Sequence, residues 1–318
     1  MRALSSQFRA YGWAASTAEL AERAGIPPEQ VLRFDGNTPP EPRPSSSAAA
    51  LRDELGRINA YRHGGFPELL EAIADYAGVG VENLVLGAGA DDLIMLAARS
   101  YAGPGDVVAI ADEPSYPLYR VAAWVAGAEV GSEEPVLTFC CRPHNPSGSL
   151  VAIPAARPLV VDEAYFEYSG GETAIGLIED GDVTVIRTFS KAFALASARI
   201  GYAVARADLA AALNERQSPA PVSTLSAALA LAGLADQPDV SETIEERERL
   251  GRELRRLGLE PLRSWTNFVS VPLRASDAIV DALLGQGLAV RPSAGAIRIT
   301  VRNRADDDVL LAALAELV

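Results

Sequence analysis

Short, continuously apolar segments alternate with helical stretches between residues 51 and 204, and this alternation limits the fold of the chain more than any other feature. Six of these segments are predicted strands: residues 84–86, 107–110, 136–139, 159–161, 183–186 and 201–204. Strands without polar alternation are buried on both faces, as in a mostly parallel sheet that helices cover above and below. The sequence therefore predicts an α/β fold, a three-layer sandwich, whose ligands bind beyond the carboxyl ends of the strands.

The two ends of the chain differ from this alternating region, and the total of 318 residues is long enough for more than one domain. Residues 1–35 are predicted to form an N-terminal arm, whose helix over residues 18–24 begins after Ser16 and Thr17 and ends at Gly25. We predict a large domain over residues 36–215 and a smaller α+β domain over residues 216–318. The smaller domain is expected to contain the following elements: a charged, solvated helix over residues 242–256, strands over 267–271 and 297–301, and a final helix over 306–317.

Charge and cysteine content exclude several classes of function. The chain has 28 basic and 42 acidic residues, a net charge of −14, whereas a nucleic-acid groove or an anionic membrane surface requires a concentrated positive face. The two cysteines, Cys140 and Cys141, are adjacent in sequence and do not match a disulfide framework. The chain has only two histidines, His63 and His144, which leaves few residues for a zinc site or a Ser-His-Asp triad. No segment resembles a signal peptide or a membrane span, so we expect a cytoplasmic protein without a bound metal.

A distinctive polar group follows each predicted strand, where the carboxyl ends of parallel strands meet. In chain order these groups are the glycine-containing turn 87–92, Tyr116 between two prolines, Asn145 in the turn 143–148, the pair Asp162 and Tyr165, and the segment 187–193. The turn 87–92 opens a helix, and the free N–H groups of a helix start bind anions. As a dinucleotide site the turn is incomplete because its third glycine is absent, which disfavours a nicotinamide-dependent dehydrogenase.

Lys191, in the last of these segments, is the only lysine in the chain, since the other 27 basic residues are arginine. A compositional bias toward arginine explains the ratio but not the position of the one lysine. An arginine side chain cannot form a Schiff base because its guanidinium stays protonated and delocalised. The single amine therefore marks Lys191 as the candidate nucleophile.

These groups together predict one ligand, pyridoxal 5'-phosphate, which combines a planar ring, a phosphate, a protonatable ring nitrogen and a carbonyl that a lysine can capture. Asp162 would keep the ring nitrogen protonated, Asn145 and Tyr165 would hydrogen-bond the ring hydroxyl oxygen, and Tyr116 would stack on the ring. The phosphate would be held by the backbone of Ala90 and Asp91, the hydroxyls of Thr188 and Ser190, and the guanidinium of Arg199. Lys191 would form the Schiff base and then move the substrate proton, which requires a pKa below the usual value of about 10.4.

Four motifs in the same order resemble those of the fold-type I, class I and II aminotransferases, and among these the histidinol-phosphate aminotransferases most. Residues 145–148, Asn-Pro-Ser-Gly, are similar to the family's Asn-Pro-Thr-Gly, and residues 87–92 are similar to its Gly-x-Gly-x-Asp-Glu. Residues 162–165 are identical to its Asp-Glu-Ala-Tyr, and residues 187–193 to its Arg-Thr-Phe-Ser-Lys-Ala-Phe. The resemblance implies an aspartate-aminotransferase-like large domain and a transaminase that uses an amino donor, such as glutamate.

The resemblance also implies roles that the spacing of residues does not show. It implies a homodimer with shared active sites, in which Tyr61 reaches the phosphate site of the partner subunit. Arg298 corresponds to the anchor of the substrate carboxylate or phosphate, Arg291 to a second anion contact, and Asn37 and Tyr11 to an arm that covers the substrate. This chain departs from the family in being shorter on each side of the asparagine turn, where we expect a strand or helix to be trimmed, and in having His144 before Asn145.

Three alternatives to a histidinol-phosphate type of transamination remain open at this point. An aromatic amino acid aminotransferase would use the same cofactor and anion contacts. A decarboxylase of the threonine-phosphate type would keep the cofactor but release carbon dioxide. A cofactor-binding regulator without turnover is disfavoured because both Lys191 and Arg298 are present.

Overall fold

The computed structural model describes residues 7–12, 14–42, 46–274, 276–293 and 295–318, so the first six residues of the predicted arm lie outside the described part. In chain order its helices and strands are α1 (Thr17–Ala24), β1 (Leu32–Arg33), α2 (Ser46–Leu55), α3 (Pro67–Ala77), β2 (Leu84–Gly87), α4 (Ala90–Tyr101), β3 (Val107–Ile110), α5 (Leu118–Ala126), β4 (Glu129–Val130), β5 (Leu137–Cys141), β6 (Leu159–Asp162), β7 (Val183–Thr188), β8 (Gly201–Ala205), α6 (Ala207–Glu215), α7 (Thr224–Ala235), α8 (Ser241–Arg256), β9 (Phe268–Pro272), α9 (Ser276–Gly285), β10 (Leu288–Ala289), β11 (Arg291–Ser293), β12 (Ala296–Thr300) and α10 (Arg304–Ala315). Short 3-10 turns occur at Pro28–Gln30, Val81–Asn83, Phe166–Tyr168, Ile175–Leu177 and Ala196–Ala198.

The central sheet has seven strands in the described part of the chain, in the order β2-β8-β7-β6-β5-β3-β4. Strand β8 runs antiparallel to both of its neighbours, whereas the remaining pairs are parallel. The structure confirms the six predicted strands and the mostly parallel sheet. Strand β4 was not predicted from the sequence because its two residues are too few to show a pattern.

The two faces of the sheet build two separate hydrophobic cores, which explains why the strands are continuously apolar. Val161 and Cys140 pack into one core together with α3 and α7, while Val160 and Cys141 pack into the other with α4 and α5. Successive side chains of a strand point to opposite faces. The adjacent cysteines are therefore separated by the sheet, and both are unpaired and buried.

The connection between β5 and β6 contains no helix over residues 142–158. Val151 and Ile153 of this connection pack against one of the two cores. Before the asparagine turn, α5 and β4 are both present. The expected trimming relative to the family stays a prediction on both sides of the turn.

The arm packs against the C-terminal part of the chain. Ser16 caps α1 through a reciprocal capping box, and Gly25 ends it in the left-handed conformation, as predicted. Strand β1 pairs in parallel with β10, and Leu20 shares a small core with Leu284. The predicted boundaries at residues 35 and 215 stay a prediction.

The C-terminal part contains an antiparallel sheet in the order β11-β12-β9, with a core formed by residues such as Leu250, Ile299 and Leu310. Helix α8 is not wholly solvated as expected, because Arg247 is buried. Its Nη1 donates to the carbonyl oxygens of Tyr168 and Thr266, at 3.4 and 3.1 Å. None of the described helices has the length and apolar character that crossing a membrane requires.

Candidate active site

A cavity of about 520 Å³ lies at the carboxyl ends of β5, β6 and β7, between the sheet and the C-terminal part. It is lined by every residue of the predicted site except Tyr61. In chain order these residues are Tyr11, Asn37, Ala90, Asp91, Tyr116, Asn145, Asp162, Tyr165, Thr188, Ser190, Lys191, Arg199, Arg291 and Arg298. The fold thus brings together side chains that are separated by almost the whole length of the chain.

Asp162 ends β6 and is 3% exposed. Its Oδ2 accepts a hydrogen bond from the hydroxyl of Tyr119 at 2.7 Å, and its Oδ1 accepts one from the backbone N–H of Ala164 at 3.1 Å. Burial raises the pKa of Asp162 to about 6, although the two donors act in the opposite direction. The carboxyl group is therefore mostly ionised at neutral pH, as a partner for a protonated nitrogen must be.

Lys191 follows β7, and its Nζ lies 5.7 Å from the centre of the Tyr165 ring. Burial, followed by the positive charge of Arg298, lowers the pKa of Lys191 to about 8. This is the direction that proton transfer by the amine near neutral pH requires.

An anion cradle lies where α4 begins. Arg199 Nη2 is 3.0 Å from Asp91 Oδ2, and Arg199 Nη1 is 3.5 Å from the hydroxyl of Ser190, which accepts from Thr188 Oγ1 at 3.0 Å. The preceding Gly89 has a φ of +85°, and a Cβ at this position would lie 2.8 Å from Arg199 Nη2. Glycine is thus favoured there by the positive φ, and it leaves room for the guanidinium beside the helix start.

The opposite wall of the cavity carries two arginines on neighbouring strands. Arg291 of β11 and Arg298 of β12 are direct partners in the antiparallel register, so their side chains leave the sheet on the same face. Arg298 Nη1 donates to Asn145 Oδ1 at 2.7 Å, and its Nη2 donates to the carbonyl oxygen of Asp35 at 2.9 Å. The Nε of Arg298 is buried and has no hydrogen-bond partner among the described residues.

The arm and the segment that follows it bring Tyr11 and Asn37 to the cavity. Asn37 is 1% exposed, and its Nδ2 donates to the hydroxyl of Tyr165 at 2.9 Å. Tyr11 is 46% exposed, and its ring lies edge-on to Tyr116, with 6.1 Å between the ring centres. The hydroxyl of Tyr116 donates to Asp91 Oδ1 at 3.0 Å, which fixes the ring at the cavity wall.

Tyr61 is not brought to the cavity within one chain. It is 86% exposed and lines a second concave surface of about 920 Å³, together with exposed Ile58 and the segment 217–225.

The sequence reasoning missed two groups of this site. Tyr119 lies in the first turn of α5, three residues after Tyr116, which precedes the helix. Arg187, within the matching motif 187–193, forms a buried ion pair with Glu163 at 3.0 Å and lies over the ring of Phe166. This ion pair links the residue after Asp162 to the strand that leads to Lys191.

Comparisons with known proteins agree with this geometry. The family described as "Aminotransferase class I and II" matches residues 29–132 and 131–314. Histidinol-phosphate aminotransferase from Thermoanaerobacter sp. is 32% identical over 90% of this chain and 93% of the relative. Histidinol-phosphate aminotransferase 2 from Pseudomonas fluorescens is 31% identical over 94% of this chain and 92% of the relative.

Two solved structures define the likeness of fold. The crystal structure of histidinol-phosphate aminotransferase from Sinorhizobium meliloti in complex with pyridoxal-5'-phosphate has a TM-score of 0.85 and 29% identity, and covers 98% of this chain and 97% of its own. L-threonine-O-3-phosphate decarboxylase from Porphyromonas gingivalis has a TM-score of 0.78, covering 90% of this chain and 99% of its own, but at 19% identity it shares the fold alone.

Proposed function

The chain belongs to the class I and II aminotransferases, and from that premise we propose that it exchanges an amino group between an amino acid and a phosphorylated keto acceptor of the histidinol-phosphate type. It is a pyridoxal-phosphate-dependent transaminase. The proposal concerns the substrates and the roles of individual residues. The relatives named for histidinol phosphate support it at about 30% identity over most of the chain.

The residues of the cavity fit pyridoxal phosphate. A single amine, a buried carboxylate and an anion cradle beside Gly89 are all present in one cavity. When bound, the cofactor supplies a ring that accepts electrons from the substrate Cα. Lys191 would bind the cofactor covalently, and its Nζ would carry the proton to and from the substrate. Asp162 would hold the ring nitrogen, while Arg199 and Ser190 would hold the phosphate.

One observation carries the assignment of substrate class, namely the paired arginines in the wall opposite the anion cradle. Two guanidinium groups on adjacent strands repel each other unless anions compensate their charge. Asp35, the carboxylate with which the arm lines the cavity, is already engaged by Arg33 through two contacts, at 2.7 and 2.8 Å. We therefore assign the compensating charge to the substrates, which bring a carboxylate or phosphate to Arg298 and Arg291.

The test is a half-reaction with each candidate donor, followed through the visible absorption of the bound cofactor and through recovery of the keto product. We expect histidinol phosphate to react at least ten times more efficiently than histidinol, which lacks the phosphate. The variant Arg291→Met should reduce this preference, whereas Arg255→Met, which removes an exposed positive charge, should leave it unchanged. Preference for phenylalanine or tyrosine would identify an aromatic aminotransferase, and release of carbon dioxide would identify a decarboxylase.

We also propose that the enzyme is a homodimer in which Tyr61 completes the phosphate site of the partner subunit. The exposure of Tyr61, 86%, beside exposed Ile58, 67%, supports this proposal. Mixing Lys191→Ala with Tyr61→Ala protein tests it, because a hybrid dimer has one intact site and should recover activity that neither variant has alone. An absence of recovery after subunit exchange would refute the shared site. The buried, unpaired cysteines support our further proposal of a reducing compartment, the cytoplasm.

A further inference from the structure

Tyr119 is a fully buried residue of α5 that contacts Asp162 but does not line the cavity. We propose that Tyr119 is a positioning residue, which keeps Asp162 ionised and oriented so that the proton of the pair stays on the ring nitrogen of the cofactor. This inference rests on the role of Asp162 proposed above. It adds a residue that acts through Asp162 rather than on substrate or cofactor.

The first argument is geometric. The ring of Tyr119 stacks on Phe139, with the ring centres 5.1 Å apart and an interplanar angle of 10°, and it is nearly perpendicular to the ring of Tyr116, with 5.7 Å between the ring centres. These contacts hold the hydroxyl in place whether or not it has an acceptor. The 2.7 Å bond to Asp162 Oδ2 and the 3.1 Å bond from Ala164 N to Oδ1 together fix both carboxylate oxygens.

The second argument is electrostatic. Burial raises the pKa of the Tyr119 hydroxyl well above its usual range, so this group remains protonated and can only donate to the carboxylate. A hydrogen bond to the charged form of an acid favours that form. The Tyr119 hydroxyl therefore lowers the pKa of Asp162, which burial raises. A carboxylate with a lower pKa binds a proton less tightly, so the proton shared with the cofactor stays on the ring nitrogen.

Other groups around Asp162 do not replace this donor. The titratable groups that face it from the surrounding elements are Asp91 of α4, Tyr116 before α5, Cys141 of β5, Tyr165 after β6 and Lys191 after β7. Asp91 raises the pKa of Asp162, and Lys191 lowers it through charge alone. Among the described residues, the side chain that donates a hydrogen bond to the Asp162 carboxylate is that of Tyr119.

The experiment measures the affinity of the apoprotein for pyridoxal phosphate between pH 5 and pH 9, for the wild type, Tyr119→Phe and a control variant. Tyr119→Phe keeps the ring and its stacking but removes the donor. Tyr101→Phe is the matched control, because the hydroxyl of Tyr101 is buried in the same domain and has no hydrogen-bond partner in the described structure. Since the cofactor pairs with ionised Asp162, affinity should fall below the pKa of this group.

We expect the pH below which affinity falls to move upward by about one to two units in Tyr119→Phe, because that is the effect of one hydrogen bond to a charged acceptor. At pH 6, where about half of the wild-type Asp162 is ionised, the affinity should drop by roughly 5- to 50-fold, whereas at pH 9 it should match the wild type. Tyr101→Phe should match the wild type throughout. A uniform loss of affinity without a shift of the midpoint, or no change at all, would overturn the proposal.

A second variant keeps the test independent of the folding of Tyr119→Phe. Incorporation of 3-fluorotyrosine at position 119 preserves the side chain but makes the hydroxyl a stronger donor, so the midpoint should move to lower pH. A shift to higher pH, or none, would contradict the proposed role. If the wild-type apoprotein itself does not bind pyridoxal phosphate, the proposed role of Asp162 is wrong and this inference is wrong with it. That outcome differs from one in which the variants bind the cofactor with the pH dependence of the wild type, which refutes only the role of Tyr119.

Discussion

Replacing Lys191 with methionine should stabilise the apoprotein, and the gain should depend on pH. The folded structure lowers the pKa of Lys191 from 10.5 to about 8, because burial and Arg298 disfavour the charged amine. One pKa unit corresponds to about 1.4 kcal/mol, so the full shift sets an upper limit of roughly 3.4 kcal/mol. Lys191 retains some contact with solvent, and screening reduces the expected value to about 1–3 kcal/mol.

The sign follows from proton linkage. Between pH 8 and pH 10.5 the unfolded chain binds the proton and the folded chain does not, so the stability of the wild type rises with pH in this window. The amine thus lowers the free energy of unfolding by its full amount below pH 8 and does not lower it above pH 10.5. Lys191→Met removes this cost, and its advantage should be constant from pH 6.5 to about 7.5 and disappear toward pH 10.5.

Two assays check this prediction. Urea unfolding of both apoproteins across the pH range gives the difference in the free energy of unfolding, and Arg255→Met controls for the loss of one positive charge at an exposed position. Because Lys191 is the only lysine, ¹³C-lysine labelling gives a single ε-carbon resonance, whose titration reports the pKa directly. An ε-carbon that titrates near 10.5, or a stability difference that does not change between pH 8 and pH 10.5, would refute the reasoning.

Three further predictions test other parts of the structure. Gly201→Ala should lower the stability by about 1–3 kcal/mol, since its Cβ would lie 2.7 Å from the carbonyl oxygen of Arg187, whereas Gly176→Ala, with open space around it, should change little in thermal unfolding. Arg298→Lys should raise KM for carboxylate substrates by roughly 10- to 100-fold in steady-state kinetics, because an ammonium cannot replace the planar, multidentate guanidinium. Ser16→Ala should cost about 1 kcal/mol in denaturant unfolding through loss of the α1 cap, with the absorption spectrum of the bound cofactor unchanged.

Most of the central sheet could be predicted from the sequence because five of its strands, β2, β5, β6, β7 and β8, are buried along their whole length. Continuous apolar segments such as residues 159–161 are typical of strands that are buried on both faces. The positions of Asp162 and Lys191 follow directly, since residues that come after parallel strands meet at one edge of the sheet. The part of the cavity that strand ends form could thus be predicted from the strand pattern, whereas Tyr11, Asn37, Arg291 and Arg298 were expected only from the family resemblance.

The remaining contacts depend on pairings that no local pattern encodes. Tyr119 and Asp162 are 43 residues apart, and the bond between them depends on how α5 packs on β6. Arg291 and Arg298 become neighbours through the register of β11 and β12, and β11 has only three residues. Arg247 is charged and yet buried, because two carbonyl oxygens from other segments and the carboxylate of Glu248 satisfy its guanidinium.

The asparagine turn is held by its own contacts rather than by a helix between β5 and β6. His144 N donates to Ser149 O at 2.8 Å and Gly148 N donates to His144 O at 2.7 Å, which closes the turn. Trp265 N donates to Gly148 O at 2.8 Å and so ties the turn to the C-terminal part. Because Arg298 Nη1 also donates to Asn145 Oδ1 at 2.7 Å, contacts from the turn itself and from the C-terminal part position the Asn145 amide, and a helix-free connection to β6 suffices.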